Sequence, residues 1–291
     1  MEKINAGNIK LLLEFQKNEI SEHIIYTKLS QLEKKENNRL TLSKIAADEL
    51  RHYNIWKNYT GQEVEPDRFK IWWYLLLAKI FGITFSIKLM ENGEKGAQKT
   101  YSGLLGSIPE AEKIIRDENE HERGLVTMVD EERLKYMGSV VLGLNDALVE
   151  LTGTLAGLTF ALQNSKIVGV AGLITGIAAA LSMAASEYLS TKTDPGEKNP
   201  LRASIYTGIT YILAVAVLII PFLTLTNQYL SLLVAFLGAI ILIWLFTFYC
   251  SVVTDVPFKK RFTEMLIISM GVAFLSFVIG LLAKQLLGVN L

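Results

Sequence analysis

The sequence predicts an all-α protein: a water-soluble four-helix bundle followed by five membrane-spanning helices. Three observations predict it. Charge is divided unevenly, with 43 of the 58 charged side chains in residues 1–137 and 15 in residues 138–291. The first part places apolar residues at helical spacings of three and four, whereas the second consists of long apolar runs joined by short connections. The pattern Glu-x-x-His occurs twice in the first part, at Glu49–His52 and Glu118–His121. One helical turn separates each pair, so both side chains leave the same helix face and can hold one metal ion. The expected domains are therefore 1–137 and 138–291.

Composition excludes several classes. A length of 291 residues suits two domains of about 150 residues each. The formal net charge is zero, so nothing points to nucleic acid. The single cysteine, Cys250, lies in an apolar run, which excludes an internal disulfide framework, a Cys₄ metal site and a rubredoxin-like centre. The start, Met1-Glu2-Lys3-Ile4-Asn5, is polar and lacks a signal-peptide pattern, so the soluble part is expected to stay cytoplasmic.

Residues 8–35 read as the first helix, with Leu12, Phe15, Glu19, Glu22 and Tyr26 on one stripe. A carboxylate inside an apolar stripe is costly unless it has a partner, and Glu19 and Glu22 compete for that position. Asn37-Asn38 suggests a turn, and the second helix, 39–59, carries Glu49 and His52 before Gly61 stops it. Val64-Glu65-Pro66-Asp67 reads as a linker with a helix-start signal. The third helix is expected over 68–102. Its apolar start, Ile71 to Ala78, is interrupted by Lys79 and Lys88 before a span of about 20 residues is complete. That segment suits a buried bundle or dimer face or the headgroup layer of a membrane, and it later presents Glu91 and Glu94 on one face. Pro109 opens the fourth helix, which carries Glu118 and His121 and runs to about Lys135, where it can continue through Met137-Gly138 into the apolar part.

The sum is an acid on the first helix, Glu-x-x-His on the second, acids on the third and Glu-x-x-His on the fourth. A carboxylate-bridged pair of metal ions in a four-helix bundle needs this inventory. Two of the three histidines sit in the motifs; the third, His23, reads as a surface or supporting residue. On these motifs, residues 8–135 resemble the rubrerythrin branch of the ferritin-like superfamily. The resemblance implies a ferritin-like di-iron domain with Glu19, Glu49, His52, Glu91, Glu94, Glu118 and His121 as ligands, Glu91 and Glu94 alternating as the iron changes between Fe²⁺ and Fe³⁺. The Cys-rich electron-supplying module of rubrerythrins has no counterpart in this sequence.

Five spans follow, at about 139–162, 167–190, 204–224, 229–250 and 264–287, each long enough for ~30 Å of hydrocarbon. The loops alternate in basic residues: Lys166; then Lys192, Lys198 and Arg202; then none; then Lys259, Lys260 and Arg261; then Lys284. The positive-inside rule places residues 1–137 in the cytoplasm and the C-terminus outside. Asp146 and Glu150 lie one turn apart in the first span, and Met183 and Glu187 share a face of the second at similar depth. Charge at such depth marks a pathway, and carboxylates with a thioether suit a divalent transition metal. Both spans are rich in small residues, among them Gly143, Gly153, Gly157, Gly169, Gly172 and Gly176, which permit close helix approach.

Asn145-Asp146-Ala147-Leu148 with Gly157-Leu158, and Ala180 to Ser190, resemble the vacuolar iron transporter (CCC1-like) family across 138–291. The resemblance implies a homodimer whose first two spans line the ion path, with Asp146 and Met183 in contact with the ion. The fusion of both parts is similar to the membrane-bound ferritin (erythrin–vacuolar iron transport) proteins. It implies iron export. With the residues read above, the expectation is export of Fe²⁺, with Mn²⁺ as a second candidate, from the cytoplasm across the plasma membrane, with protons taken up by the carboxylates in exchange, membrane lipid as surroundings, and Asp146, Glu150, Met183 and Glu187 as the path. The rival reading is a membrane-anchored di-iron ferroxidase or peroxidase, with the spans as anchor. Five spans with aligned acids exceed what an anchor requires.

Overall fold

The structure is a computed structural model that describes residues 6–101, 108–127, 135–193, 196, 198–254 and 256–287, with the side chains of 6–8, 94–101, 109, 126–127, 283–284 and 287 left out. Ten helices and no strand occur among the described residues. The chain divides into two compact units, Met1–Glu131 and Glu132–Leu291.

The first unit contains α1 (Ala6–Leu32), α2 (Glu36–Thr60), α3 (Arg68–Phe81), α4 (Ile83–Tyr101) and α5 (Pro109–Thr127). The first break falls at residues 33–35 rather than at Asn37-Asn38, which lie in the first turn of α2. The Glu33 carboxylate makes the turn by accepting from the amides of Lys34 and Lys35 at 2.7 and 2.9 Å. Gly61 ends α2 with φ +68°, and Asp67 starts α3 by accepting from the amides of Phe69 and Lys70. The expected third helix of 68–102 is two helices. Gly82, at φ +101°, takes a conformation that L side chains avoid, and the break is held by Gly82 N–H on the Ala78 carbonyl and by the Ser86 hydroxyl on the Tyr74 carbonyl, at 3.0 and 2.7 Å.

α1 packs on α2 and α3, and α5 packs on α2 and α4. Their cores form two apolar clusters. Leu12, Phe15, Trp56, Ala111 and Ile114 make one; Ile25, Tyr26, Leu29, Leu42, Ile45, Met90 and Leu125 belong to the other. Along α1, α2 and α5 the order is the same: apolar residues, then Glu19, Glu49/His52 or Glu118/His121, then apolar residues again. One polar layer thus lies between two dry ones. The expected continuation of the fourth helix through 128–134 lies outside the described residues.

The second unit contains α6 (Met137–Leu162), α7 (Ser165–Thr193), α8 (Pro200–Thr224), α9 (Gln228–Thr254) and α10 (Phe258–Leu287), all long and apolar enough to cross a membrane. α6 is central and packs on each of the other four. The small residues are used inside the chain. Gly143 lies against the Thr207 backbone of α8, Gly157 and Gly280 bring α6 and α10 together, and Gly172 and Gly176 receive Ile219 and Val215 of α8. The glycine faces therefore close this unit on itself.

Candidate metal centre

Three buried elements build the centre. On α1, Glu19 is 2 % exposed; its Oε1 accepts from Trp56 Nε1 at 3.0 Å, which turns Oε2 toward His52 Nδ1, 3.6 Å away. On α2, Glu49 Oε2 stands 3.4 Å from His52 Nδ1, while its Oε1 stands 3.3 Å from His121 Nδ1. On α5, Glu118 repeats the arrangement, with Oε1 3.4 Å from His52 Nδ1 and Oε2 3.7 Å from His121 Nδ1. Each of these two carboxylates thus offers one oxygen to each histidine. Glu49 and Glu118 could therefore serve a metal ion at either histidine, whereas Glu19 faces His52 alone.

The outer nitrogens are held in a crossed pattern. His52 Nε2 lies 3.2 Å from Asp117 Oδ2, and His121 Nε2 lies 3.1 Å from Asp48 Oδ2. Each aspartate immediately precedes the glutamate of the other histidine's helix. Arg51 joins both, at 2.6 Å to Asp48 and 2.7 Å to Asp117. An Nε2–H that donates to a carboxylate leaves the Nδ1 lone pair for a metal and makes it more basic.

Glu19 Oε2, Glu49 Oε2, His52 Nδ1 and His121 Nδ1 are buried without a hydrogen-bond partner. Orphaned buried polar atoms cost stability, and four that converge from three helices make a ligand set. One atom each from Glu19, Glu49, His52 and Glu118 lies within 4.8 Å of the others, as ligands of a shared ion must. Carboxylate oxygen with imidazole nitrogen suits divalent iron, manganese or zinc. The residues therefore fit such an ion.

Electrostatics agree. Burial opposes a charged His52, but the carboxylates of Glu118, Glu19 and Glu49 outweigh it and hold the proton. His121 is pushed up to about 10, again against burial, by Glu118 and Glu49. Burial, with Glu49 adding to it, raises Glu19 to about 7; burial and the charges of Glu118, Glu22 and Glu49 raise Glu91 to about 7.

Of the two acids competing on α1, Glu19 reaches the centre. Glu22 is neutralised by Lys70 at 2.6 Å. Glu91 sits beside the centre and accepts from the Tyr26 hydroxyl at 2.8 Å. The Glu94 side chain lies outside the described residues. His23 bonds the Ala46 carbonyl at 2.7 Å. Sequence reasoning missed Asp48, Asp117, Arg51 and Trp56. A signal existed for the first two, because each Glu-x-x-His is preceded by aspartate. A cavity of about 350 Å³ between α2 and α5, lined by Thr41, Lys44, Glu120 and Gly124, opens onto His121.

In the second unit, Glu150 accepts from the Tyr211 hydroxyl at 2.8 Å and Glu187 from the Ser139 hydroxyl at 2.6 Å. Asp146 is half-buried and has no hydrogen-bond partner among the described residues. Leu155 beside Gly172, Leu151 beside Gly176 and Ser139 bonded to Glu187 fix an antiparallel register between α6 and α7. That register sets Met183, packed against the core of the unit, within one turn of the level of Asp146.

No curated protein and no solved structure matches the chain. Residues 137–196, which span α6 and α7 and hold Asp146, Glu150, Met183 and Glu187, match the VIT family of vacuolar iron transporters, and this likeness together with the five apolar helices fits a multi-pass membrane protein of metal-ion transport.

Proposed function

We propose that this protein exports Fe²⁺, with Mn²⁺ as the next candidate, from the cytoplasm across the plasma membrane, and that a rubrerythrin-like di-iron domain in residues 1–137 captures or senses the ion first. One observation carries the reading: a single chain joins a buried carboxylate-bridged histidine pair to a helix pair that matches the vacuolar iron transporters. Glu19, Glu49, His52, Glu118 and His121 hold the metals of the first site, with Glu91 in reserve beside them. When bound, the pair of ions supplies Fe²⁺/Fe³⁺ redox chemistry to that site. Glu49 and Glu118 each face both histidines, so they would contribute to both metal positions.

In the membrane, Asp146, Glu150, Met183 and Glu187 form the path. Asp146 is the acid free to take the ion, because Glu150 and Glu187 already accept hydroxyl hydrogen bonds. A carboxylate that releases a divalent cation takes up protons in exchange, which supports proton antiport. The basic loops support a cytoplasmic first unit and an outer C-terminus. A homodimer rests on likeness to the transporter family alone, since the glycine faces are occupied within the chain. The alternation of acids on α6 and α7 favours transport over an anchored enzyme, for which uncharged spans suffice.

The test is Fe²⁺ flux into sealed proteoliposomes of the intact protein, with and without a pH gradient. Gradient-dependent flux is expected. Absent flux from protein that still binds two ions per chain would favour the anchored di-iron enzyme.

A further inference from the structure

The metal centre does not use α3, and α3 is the oddest surface of the first unit. Phe69, Trp72 and Trp73 are 70, 55 and 42 % exposed. They hold each other instead of a core, with ring centroids 5.9, 6.5 and 6.3 Å apart. Beside them runs a groove of about 570 Å³ between α1 and α3, floored by Ile24, Ile71, Leu75 and Leu76. Its rim carries Lys28, Arg68 and Lys79, no carboxylate lines it, and none of the three cations has a carboxylate partner among the described residues.

We propose that this α1/α3 face docks on the anionic headgroup layer of a bilayer. Tryptophan is the side chain that settles at a membrane–water boundary, with its ring in the apolar region and its N–H in the wet one. Basic residues beside an apolar helix face are the electrostatic half of the same device, attracted to anionic lipid and screened by salt. A second copy of this face fits worse. A two-fold interface brings the same patch against itself, which would set the Lys28, Arg68 and Lys79 group against its own copy with no acid between them. A flat anionic surface satisfies the apolar groove and its cations together.

The chain has four tryptophans, Trp56, Trp72, Trp73 and Trp244. Trp56 is fully buried and Trp244 is 47 % exposed on α9, where it reports on the bilayer. The probe is quenching of tryptophan emission by brominated lipid in vesicles of the full-length protein carrying Trp244→Phe, which leaves Trp72 and Trp73 as the accessible emitters. At low salt, quenching in vesicles containing brominated phosphatidylglycerol is expected to exceed that in purely phosphatidylcholine vesicles at least two-fold. The double reversal Arg68→Glu/Lys79→Glu, at exposed positions, should remove the excess. Absence of quenching, while Trp244 of the unsubstituted protein is quenched, overturns the proposal. So does equal quenching in both lipids, or cross-linking of two chains through α3 with Trp72 and Trp73 shielded from lipid.

Discussion

His52 and Asp117 sit on different helices, and Nε2 of the one stands 3.2 Å from Oδ2 of the other, while His121 and Asp48 repeat the contact in the opposite direction at 3.1 Å. The two Asp-Glu-x-x-His segments are thus interlocked. Each supplies a histidine, a glutamate that faces both histidines and the aspartate that orients the histidine of its partner.

Interlocking predicts the effect of removing one orienting group. Asp117→Asn keeps the size of the side chain but weakens its hold on His52 Nε2–H and loses its ion pair with Arg51. Supporting carboxylates of this kind are worth about 10–100-fold in metal affinity. Competition titration against a chromophoric chelator should show a loss in that range at the His52 position. Arg51→Ala releases both aspartates and should weaken both positions; an effect on only one would show that Arg51 does not couple them.

The bridging geometry predicts stoichiometry. Glu49 touches both histidines at 3.3 and 3.4 Å, whereas Glu19 touches His52 alone. Glu49→Ala should therefore lose both ions, and Glu19→Ala should retain the ion on His121. Metal content per chain after gel filtration distinguishes these outcomes. One ion retained in both variants would refute the bridging role of Glu49.

Loading should release protons. His121, at about 10, and Glu19 and Glu91, at about 7, are all raised, so at pH 6 they hold protons that a ligand must give up. Affinity should therefore rise as pH goes from 6 to 8, most steeply below 7, where both glutamates hold protons, and less steeply above it. Titration of Mn²⁺ into weakly buffered protein should acidify the solution by at least one proton per ion. No acidification would contradict the protonated resting site.

How far this was legible follows from which contacts are local. Glu-x-x-His is a one-turn relation inside a helix, so the paired side chains on α2 and α5 could be read directly, and so could the polar break in the stripe of α1. The choice of Glu19 over Glu22 depends on Lys70, 48 residues away, and could not. Asp48 and Asp117 resemble the solvated acids around them; only the packing of α2 on α5 and the reach of Arg51 set them apart. The break at Gly82 was hidden because one glycine inside an apolar run is tolerated in a helix as readily as it ends one. In the second unit the apolar runs gave all five spans, but the partner of each small-residue face is a matter of three-dimensional packing.

That packing predicts a sharp difference between two glycines. A Cβ on Gly143 would collide with the Thr207 backbone, which has no rotamer to relieve it, whereas Gly271 has no neighbouring atom within 4 Å. Gly143→Val should separate α6 from α8 and cost about 1–3 kcal/mol or more. Gly271→Ala should be tolerated. Thermal unfolding in detergent, followed by intrinsic fluorescence, reads the difference.

Asp146 and Glu150 are one turn apart but differ in kind, and flux should separate them. Glu150 has the Tyr211 hydroxyl as a donor at 2.8 Å, a bond that Glu150→Gln can keep through its amide oxygen. Asp146 has no such partner among the described residues, and a half-buried carboxylate in a membrane helix is costly to keep without one. On the proposed path, an ion in transit would supply that partner. Asp146→Ala should lower Fe²⁺ flux in proteoliposomes by at least ten-fold while leaving two ions bound in the first unit and the melting temperature unchanged or raised. If it instead lowers the melting temperature, Asp146 stabilises the helix packing, and the path must be sought along Glu187 and Met183 of α7.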